Sequence, residues 1–392
     1  MDKYSDALSS LKNYIELEEY RGYDPYDTLN SFLPFGIFGK WGRVIAIQLQ
    51  KRNPVNIRPL IGIKKEINPK AMGLFLHSYS LLQRGRKEDV FMKQMKFIFD
   101  WLQNNYSKGY SGHCWGYNFV WASTQKTLSR FHPSIVVTSF ICKGIYEYYL
   151  TTKDEKAIEL LKSASNYIIK DLPLTETKDG ICFAYTDVMK DCCYNAGMLG
   201  AEVLAKLYSI TGDAQLKDLA LRSADFLVAH QHEDGHWNYD INPATGREKV
   251  QIDFHQGYVI DSLAEVAKHC DPHNVMYKDA VRKGLMYYRN VQFTSEGRSL
   301  WRIPKKYPVE IHNQSQGIIT FTRHRKDFPE YFPFGKTVAD FTIENMHDKK
   351  LGYFYYRSLP AYKNKIPFMR WSQAWMMLAL TELIVAENPD RF

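Results

Sequence analysis

No CxxC pair occurs among the six cysteines of this 392-residue chain, which stand at positions 114, 142, 182, 192, 193 and 270. Their irregular spacing excludes a disulfide framework and points to reduced thiols. Cys182, Cys192, Cys193 and His132 lack the separations of a zinc site, so neither a metal nor another cofactor is expected. There is no GxGxxG, no Walker loop and no GxSxG, which leaves nucleotide-dependent and serine-hydrolase chemistry without support. No 18-residue stretch is apolar and uncharged; the segment from Met376 to Val385 is too short and holds Glu382. The opening MDKYSDALSSLKNYIELEEY is charged throughout and has no apolar signal region. These absences predict a cytoplasmic protein without a transmembrane segment, its amphipathic N-terminal helix leaving peripheral membrane contact open.

Basic residues outnumber acidic ones by 51 to 43, but no run of five or six like charges occurs. The net charge of +8 is spread in small clusters such as Lys64-Lys65, Arg323 to Lys326 and Lys349-Lys350. That argues against a nucleic-acid partner and fits a mildly basic surface or an anionic ligand.

Aromatic residues are abundant: 27 Tyr, 22 Phe and 8 Trp. Many recur in a repeat. Glycine followed by aromatics marks Gly109-Tyr110, Gly180 to Phe183, Gly235 to Tyr239, Gly297 to Trp301 and Gly352 to Tyr356, at intervals near 60 residues. An amphipathic helix precedes each marker: 90–105, 156–170, 215–231, 277–291 and 336–346. The segments TTKDEKA, TGDAQLK and CDPHNVMYK supply Thr or Asp caps and early acidic residues. Helices poorer in charge are predicted at 69–82, 133–150, 195–210, 254–269, 312–322 and 368–385, apolar around most of their circumference.

Six such units predict an all-α protein, an (α/α)6 toroid or six-hairpin barrel with short aromatic strands at one mouth. The whole of 1–392 reads as a single toroid domain, with 1–68 an N-terminal helix and extended lead-in and 69–392 repeated helix hairpins. An open superhelix of hairpins shares the same local pattern; a repeat count that stops at six favours the ring.

In a ring the inner helices aim their N-termini into one funnel, where free N–H groups favour anions. Residues at those starts are therefore the candidates: His132, Asn195, Asp253 with His255, Glu310 with His312, and Arg370, Trp371 and Gln373. Asp253, His255, Glu310 and His312 are the candidate catalytic groups. Trp115, Tyr117, Trp237, Tyr258 and Trp301 are candidates for stacking on sugar rings. Two chemistries stay open. Asp253 and Glu310 facing each other would form the carboxylate pair of glycoside hydrolysis. A His or Tyr removing a proton, with Arg370 and Asn195 neutralising a uronic carboxylate, would give epimerisation or elimination.

The runs SGHCWGYNFVW, QHEDGHWNY, DFHQGYVIDSL, NMHDKKLGYFYYR and IPFMRWSQAWMMLAL together resemble a family of bacterial proteins associated with surface-polysaccharide gene clusters, a family without an assigned activity. The likeness runs from Arg21 onward. More distantly, the layout resembles the six-hairpin glycosidase superfamily, whose members include unsaturated glucuronyl hydrolases, N-acylglucosamine and cellobiose epimerases, and uronate-polysaccharide lyases; RWSQAW is similar to their Arg-Trp-x-x-Ala-Trp helix start. QHEDGHW also looks like a terpene-cyclase repeat, but it occurs once and without a DxDD-like acid motif, and the zinc ligands of lanthionine-cyclase-like toroids are missing. The resemblance implies a carbohydrate partner, and an enzyme that modifies or trims an anionic sugar intermediate of a surface polysaccharide. The alternative is a non-catalytic glycan-binding or scaffold protein using the same funnel.

Overall fold

The computed structural model describes residues 3–123 and 126–390. The N-terminal region supplies α1 (Lys3–Leu17) and α2 (Gly39–Arg52). Five hairpins follow: α3 (Pro69–Arg86) with α4 (Asp89–Asn104), α5 (Ile135–Thr152) with α6 (Glu155–Lys170), α7 (Tyr194–Thr211) with α8 (Ala214–Ala229), α9 (His255–Cys270) with α10 (Val275–Gln292), and α11 (Ile311–Arg323) with α12 (Phe332–Met346). A π-helical segment, Met369–Ala374, leads into α13 (Trp375–Glu387).

Caps start the outer helices within the segments TTKDEKA, TGDAQLK and CDPHNVMYK, although in the last the capping residue is Asn274 and not an Asp. Asp154 accepts from the backbone of Lys156 at 3.0 Å, Asp213 from Gln215 at 2.9 Å and Asn274 from Tyr277 at 3.1 Å, each satisfying a donor that the helix leaves orphaned. The odd-numbered helices from α3 to α13 form the inner wall. They are buried around almost their whole circumference because they pack on neighbours at both sides and on an outer helix behind. Each inner helix touches the next, and α13 touches α3. That contact closes the ring and excludes the open superhelix.

Five outer places belong to α4, α6, α8, α10 and α12. The sixth is filled from the other end of the chain by α1, which packs on α13 and whose Tyr4 hydroxyl donates to Asp340 of α12 at 2.7 Å. Tyr4, Leu8, Leu11 and Ile15 are buried there, so the N-terminal helix is part of the wall and has no apolar face left for a bilayer. The lead-in is not wholly extended either, since it contains α2.

The aromatic markers form short strands and turns at one mouth of the ring. Gly180 and Gly235 sit at φ +129° and +98°, and a Cβ there would lie 2.2 Å from the Arg222 carbonyl oxygen and 2.3 Å from that of Lys283; no other residue fits both constraints. Glutamines at the starts of three inner helices pin these segments. Gln256 accepts from the Trp237 amide at 3.2 Å and donates to its carbonyl. Gln314 accepts from Ser299 at 2.6 Å and donates to Gly297 at 3.1 Å. Gln373 accepts from the Phe354 amide at 2.8 Å and donates to its carbonyl at 2.9 Å. Gln373 is thus a buried backbone clamp and not a sugar ligand.

Two tryptophans expected to stack on sugar are also structural. The Trp115 indole donates to Leu102 at the end of α4 at 3.1 Å, and that of Trp237 to Leu227 at the end of α8 at 2.9 Å. Both are buried. Their large apolar area and single donor suit them to seal an outer helix C-terminus. Trp237→Ala should lower the unfolding free energy by about 3–5 kcal/mol, and Trp237→Phe, which orphans the Leu227 carbonyl, by about 1 kcal/mol; urea unfolding midpoints at constant slope measure both.

Candidate active site

The inner-helix N-termini surround a cavity of about 510 Å³. Among the sequence candidates, Asn195, Tyr117, Asp253, His255, Tyr258, Trp301, Glu310, His312, Arg370 and Trp371 all line it. His132 does not. It lies in the loop before α5, its Nε2 2.7 Å from Asp187, and borders a separate cavity beside Trp101 and Tyr106. Position in the repeat placed it in the funnel, but the loop turns it outward.

Asp253 and His255 form a dyad at the start of α9. One carboxylate oxygen lies 2.5 Å from His255 Nδ1 and also accepts from the His255 backbone at 3.2 Å; the other accepts from Gln251 at 2.9 Å and lies 3.4 Å from Arg302. Burial disfavours the charge on Asp253, yet the His255 ring and Arg302 hold its carboxyl below the usual range. With Nδ1 taken, Nε2 is the His255 nitrogen left for a ligand.

His312 occupies the next inner helix start and differs in environment. Phe254 stacks on it at 4.2 Å, and Trp371 and Trp375 approach at 4.5 and 4.6 Å between ring centroids. Burial, reinforced by Lys70 and Arg370, pushes its pKa well below the usual histidine value, so the ring is neutral. Nε2 is hydrogen-bonded to the Tyr258 hydroxyl, while Nδ1 is buried without a partner. When Tyr258 donates, the ring proton lies on Nδ1 as an unanswered donor. Phe254 contacts both imidazoles, His255 also at 4.2 Å, and so separates two histidines of unlike character.

Glu310 is fully engaged. Arg357 binds one oxygen through Nε at 2.8 Å and a terminal nitrogen at 2.5 Å, and the Trp371 indole donates to the other at 2.8 Å. Burial opposes its charge, but Arg357 and Lys51 keep the carboxyl below its ordinary range. Both cavity carboxylates are therefore ionised, and neither holds the proton that a general acid in glycoside hydrolysis has to give. Arg370 is likewise committed, forked onto Asp24 of the lead-in at 2.6 and 2.8 Å; it meets a ligand as half of an ion pair and not as a free cation.

Sequence reasoning missed Lys51 and Tyr26, which reach the cavity from the lead-in. The Lys51 ammonium donates to the Tyr26 hydroxyl and lies 4.1 Å from its ring centre. Nothing in the repeat marks them, because they lie outside it. Arg302 and Arg357 were equally invisible: a strand or loop arginine has no periodic signature. The lining holds six basic side chains, Arg370, Lys70 and Lys249 among them, against two carboxylates; burial makes Lys51 and Lys70 give up their protons readily, and Lys249 with the three arginines keeps a positive balance that draws an anionic ligand. Asn195 accepts from the Cys193 thiol at 3.0 Å, which leaves its amide nitrogen as the donor for such a ligand.

Burial lowers Lys51 to about 7 from an ordinary 10.5. Between those values the unfolded chain binds a proton that the native state lacks, so native stability rises with pH across the window. Lys51→Met removes this rise. Melting temperatures from pH 7 to 10 should climb in the wild type relative to the variant, and a flat difference curve would show that Lys51 keeps its proton.

No known family model matches the chain, and no curated protein does. Solved structures match over nearly its full length. A sugar epimerase from a ruminal bacterium is 12% identical, covers 99% of both chains and has a TM-score of 0.68. The cellobiose 2-epimerase of Bacillus thermoamylovorans is 15% identical over 81% of this chain and 88% of its own, with a TM-score of 0.65. An unsaturated glucuronyl hydrolase specific for heparin is 10% identical over 98% and 96%, with a TM-score of 0.64. The fold is therefore the (α/α)6 toroid of the six-hairpin architecture, with short strands at one mouth.

Proposed function

We propose that this protein is an enzyme that moves a proton at a carbon beside a sugar carbonyl, epimerising or isomerising an anionic sugar. The observation that carries this reading is the pair of histidines on either side of Phe254, one backed by an ionised aspartate and one held neutral, in a cavity whose carboxylates are both ionised and bonded. The open-chain form of the sugar presents the carbonyl. His255 Nε2 removes the proton on the adjacent carbon, and the electron pair moves onto the carbonyl oxygen to give an enediolate. Asp253 orients the ring and stabilises the imidazolium that forms. His312, neutral, stabilises the enediolate oxygen once its ring turns a nitrogen into the cavity, since Nδ1 is buried and Nε2 is held by Tyr258 in the structure. Protonation from the opposite face, by an acid other than His255 or after the enediolate has turned over, gives an epimer; delivery of the His255 proton to the former carbonyl carbon, with the adjoining hydroxyl proton passing to the other oxygen, gives an isomer.

The surplus of basic side chains, carried by Lys249 and the arginines, supports a carboxylated or phosphorylated sugar, and Trp301, Tyr117 and Trp371 offer aromatic faces for its apolar side. A role in bacterial surface-polysaccharide metabolism rests on the sequence resemblance, and the names of the structural neighbours, two epimerases and a hydrolase, are consistent with carbohydrate chemistry.

Incubation with uronic, phosphorylated and neutral sugars in deuterated water separates the readings. The expected result is a product of unchanged composition carrying solvent deuterium beside the carbonyl, with kcat reduced roughly 10²–10⁴-fold in His255→Asn and in His312→Asn. New reducing ends would instead establish hydrolysis. Ligand-induced thermal stabilisation with no turnover of any bound sugar would establish a glycan-binding protein.

A further inference from the structure

The excess of positive charge is far less evenly spread than runs of like charge suggest. Residues 31–65 contain seven Lys or Arg and not one Asp or Glu. The rest of the chain, with the other 44 basic residues and all 43 acidic ones, is almost neutral. The same segment carries a row of exposed apolar side chains. Ile37, Trp41, Ile45 and Leu49 recur every fourth residue along α2 and the turn before it, and are 76%, 57%, 54% and 67% exposed. Phe32 and Leu60 extend the row, at 70% and 78%; their loops are joined by the Phe32 amide donating to Ile61 at 3.3 Å.

This face is not a frayed edge. The opposite side of α2 is anchored by buried Ala46, Ile47 and Gln50, and its flank presents Val44, Gln48 and Lys51 to the funnel. Folding has therefore oriented the helix, and the oriented helix shows its apolar row to solvent, where large apolar patches on a monomer mark an interaction site. Lys51 and Arg58 are turned inward, and Lys65 pairs with Glu18 at 2.6 Å. Lys40, Arg52 and Lys64 remain exposed and enter no ion pair among the described residues, while Arg43 is half-buried.

We propose that the face formed by residues 31–65 docks on an anionic phospholipid bilayer, with α2 lying in the interface and the funnel mouth beside it. A helix with apolar and tryptophan side chains on one face, flanked by unpaired cations and free of acid, is suited to insert among acyl chains while its cations meet lipid phosphates. A second copy of the chain fits poorly. A two-fold contact would set this acid-free cationic segment against itself, with no carboxylate within it to offset the repulsion. None of the described helices is long and apolar enough to span a membrane, so the contact is peripheral. It does not depend on the chemistry proposed for the funnel.

Flotation of the full-length protein with vesicles tests this, using phosphatidylcholine alone or with about 30% phosphatidylglycerol. Binding should be at least about tenfold stronger to the anionic vesicles and should weaken in high salt. The triple variant Trp41→Ser, Ile45→Ser, Leu49→Ser should lose at least about tenfold in binding. So should Lys40→Gln, Arg52→Gln, Lys64→Gln, a second variant that leaves the apolar row intact. Because all six side chains lie at the surface, melting temperatures should stay at the wild-type value. Absence of binding to anionic vesicles at low salt would overturn the proposal, as would binding that survives in the serine variant. Light scattering that shows a dimer dispersed by the serine variant would assign the face to a second copy instead.

Discussion

Closing a ring of helices forces the connecting backbone into the mouth, half out of water, where every amide and carbonyl still needs a partner. The rest of the molecule depends on how that need is met. Gln256, Gln314 and Gln373 each fasten a marker strand through amide and carbonyl together, and Trp115 and Trp237 close the helix ends behind them. Side chains rooted in the inner helices thereby fix the loops that carry Trp301 and the strands that carry Glu310 and Arg357. A funnel assembled from six separate connections becomes one rigid surface, which positioning of reactive groups requires.

Charge is organised by the same logic. Asp253, Glu310, Arg357, Arg370, Lys51 and Lys70 line the cavity while buried, with Asp24 buried behind Arg370, and isolated charges in such a place would be prohibitive. Arg370 is matched to Asp24, and Glu310 to Arg357. The lysines answer burial differently, by giving up their protons more readily. What remains for a ligand is a field with a positive bias and two imidazoles, one beside a charge and one beside aromatic rings. Hydrolytic chemistry with paired carboxyl groups needs one of them uncharged, and the arginine and indole around Glu310 work against that.

The architecture was legible in the sequence because its signal is periodic. Five outer helices and six inner ones fall within a few residues of where apolar spacing and the Asp154 and Asp213 caps put them. Asp253, His255, Glu310 and His312 were found at the cavity for a related reason: a repeat gives equivalent positions equivalent places. Position in a repeat does not reveal direction, however. His132 shares the position of His255 and His312 but pairs with Asp187 outside the funnel, and Gln373, Trp115 and Trp237 face backbone carbonyls instead of ligand. Those distinctions rest on hydrogen-bond partners up to 55 residues away, which residue type alone does not specify. Lys51 and α2 lay beyond reach because they belong to no repeat.

That non-repeating lead-in ties the site to the closure of the whole ring. Asp24 neutralises Arg370 across 346 residues of chain, and Tyr4 reaches Asp340 across 336. Tyr26 and Lys51 complete the cavity from the same segment. The inner helices alone would leave Arg370 buried without its counter-charge, at a cost of about 3–5 kcal/mol, and would lack one side of the funnel. Contacts of such long sequence separation form only once the loop entropy between the ends has been overcome. A partly assembled ring therefore contains the two histidines without the electrostatic setting that makes them differ, and the cavity acquires its chemistry only with the joining of the two ends of the chain.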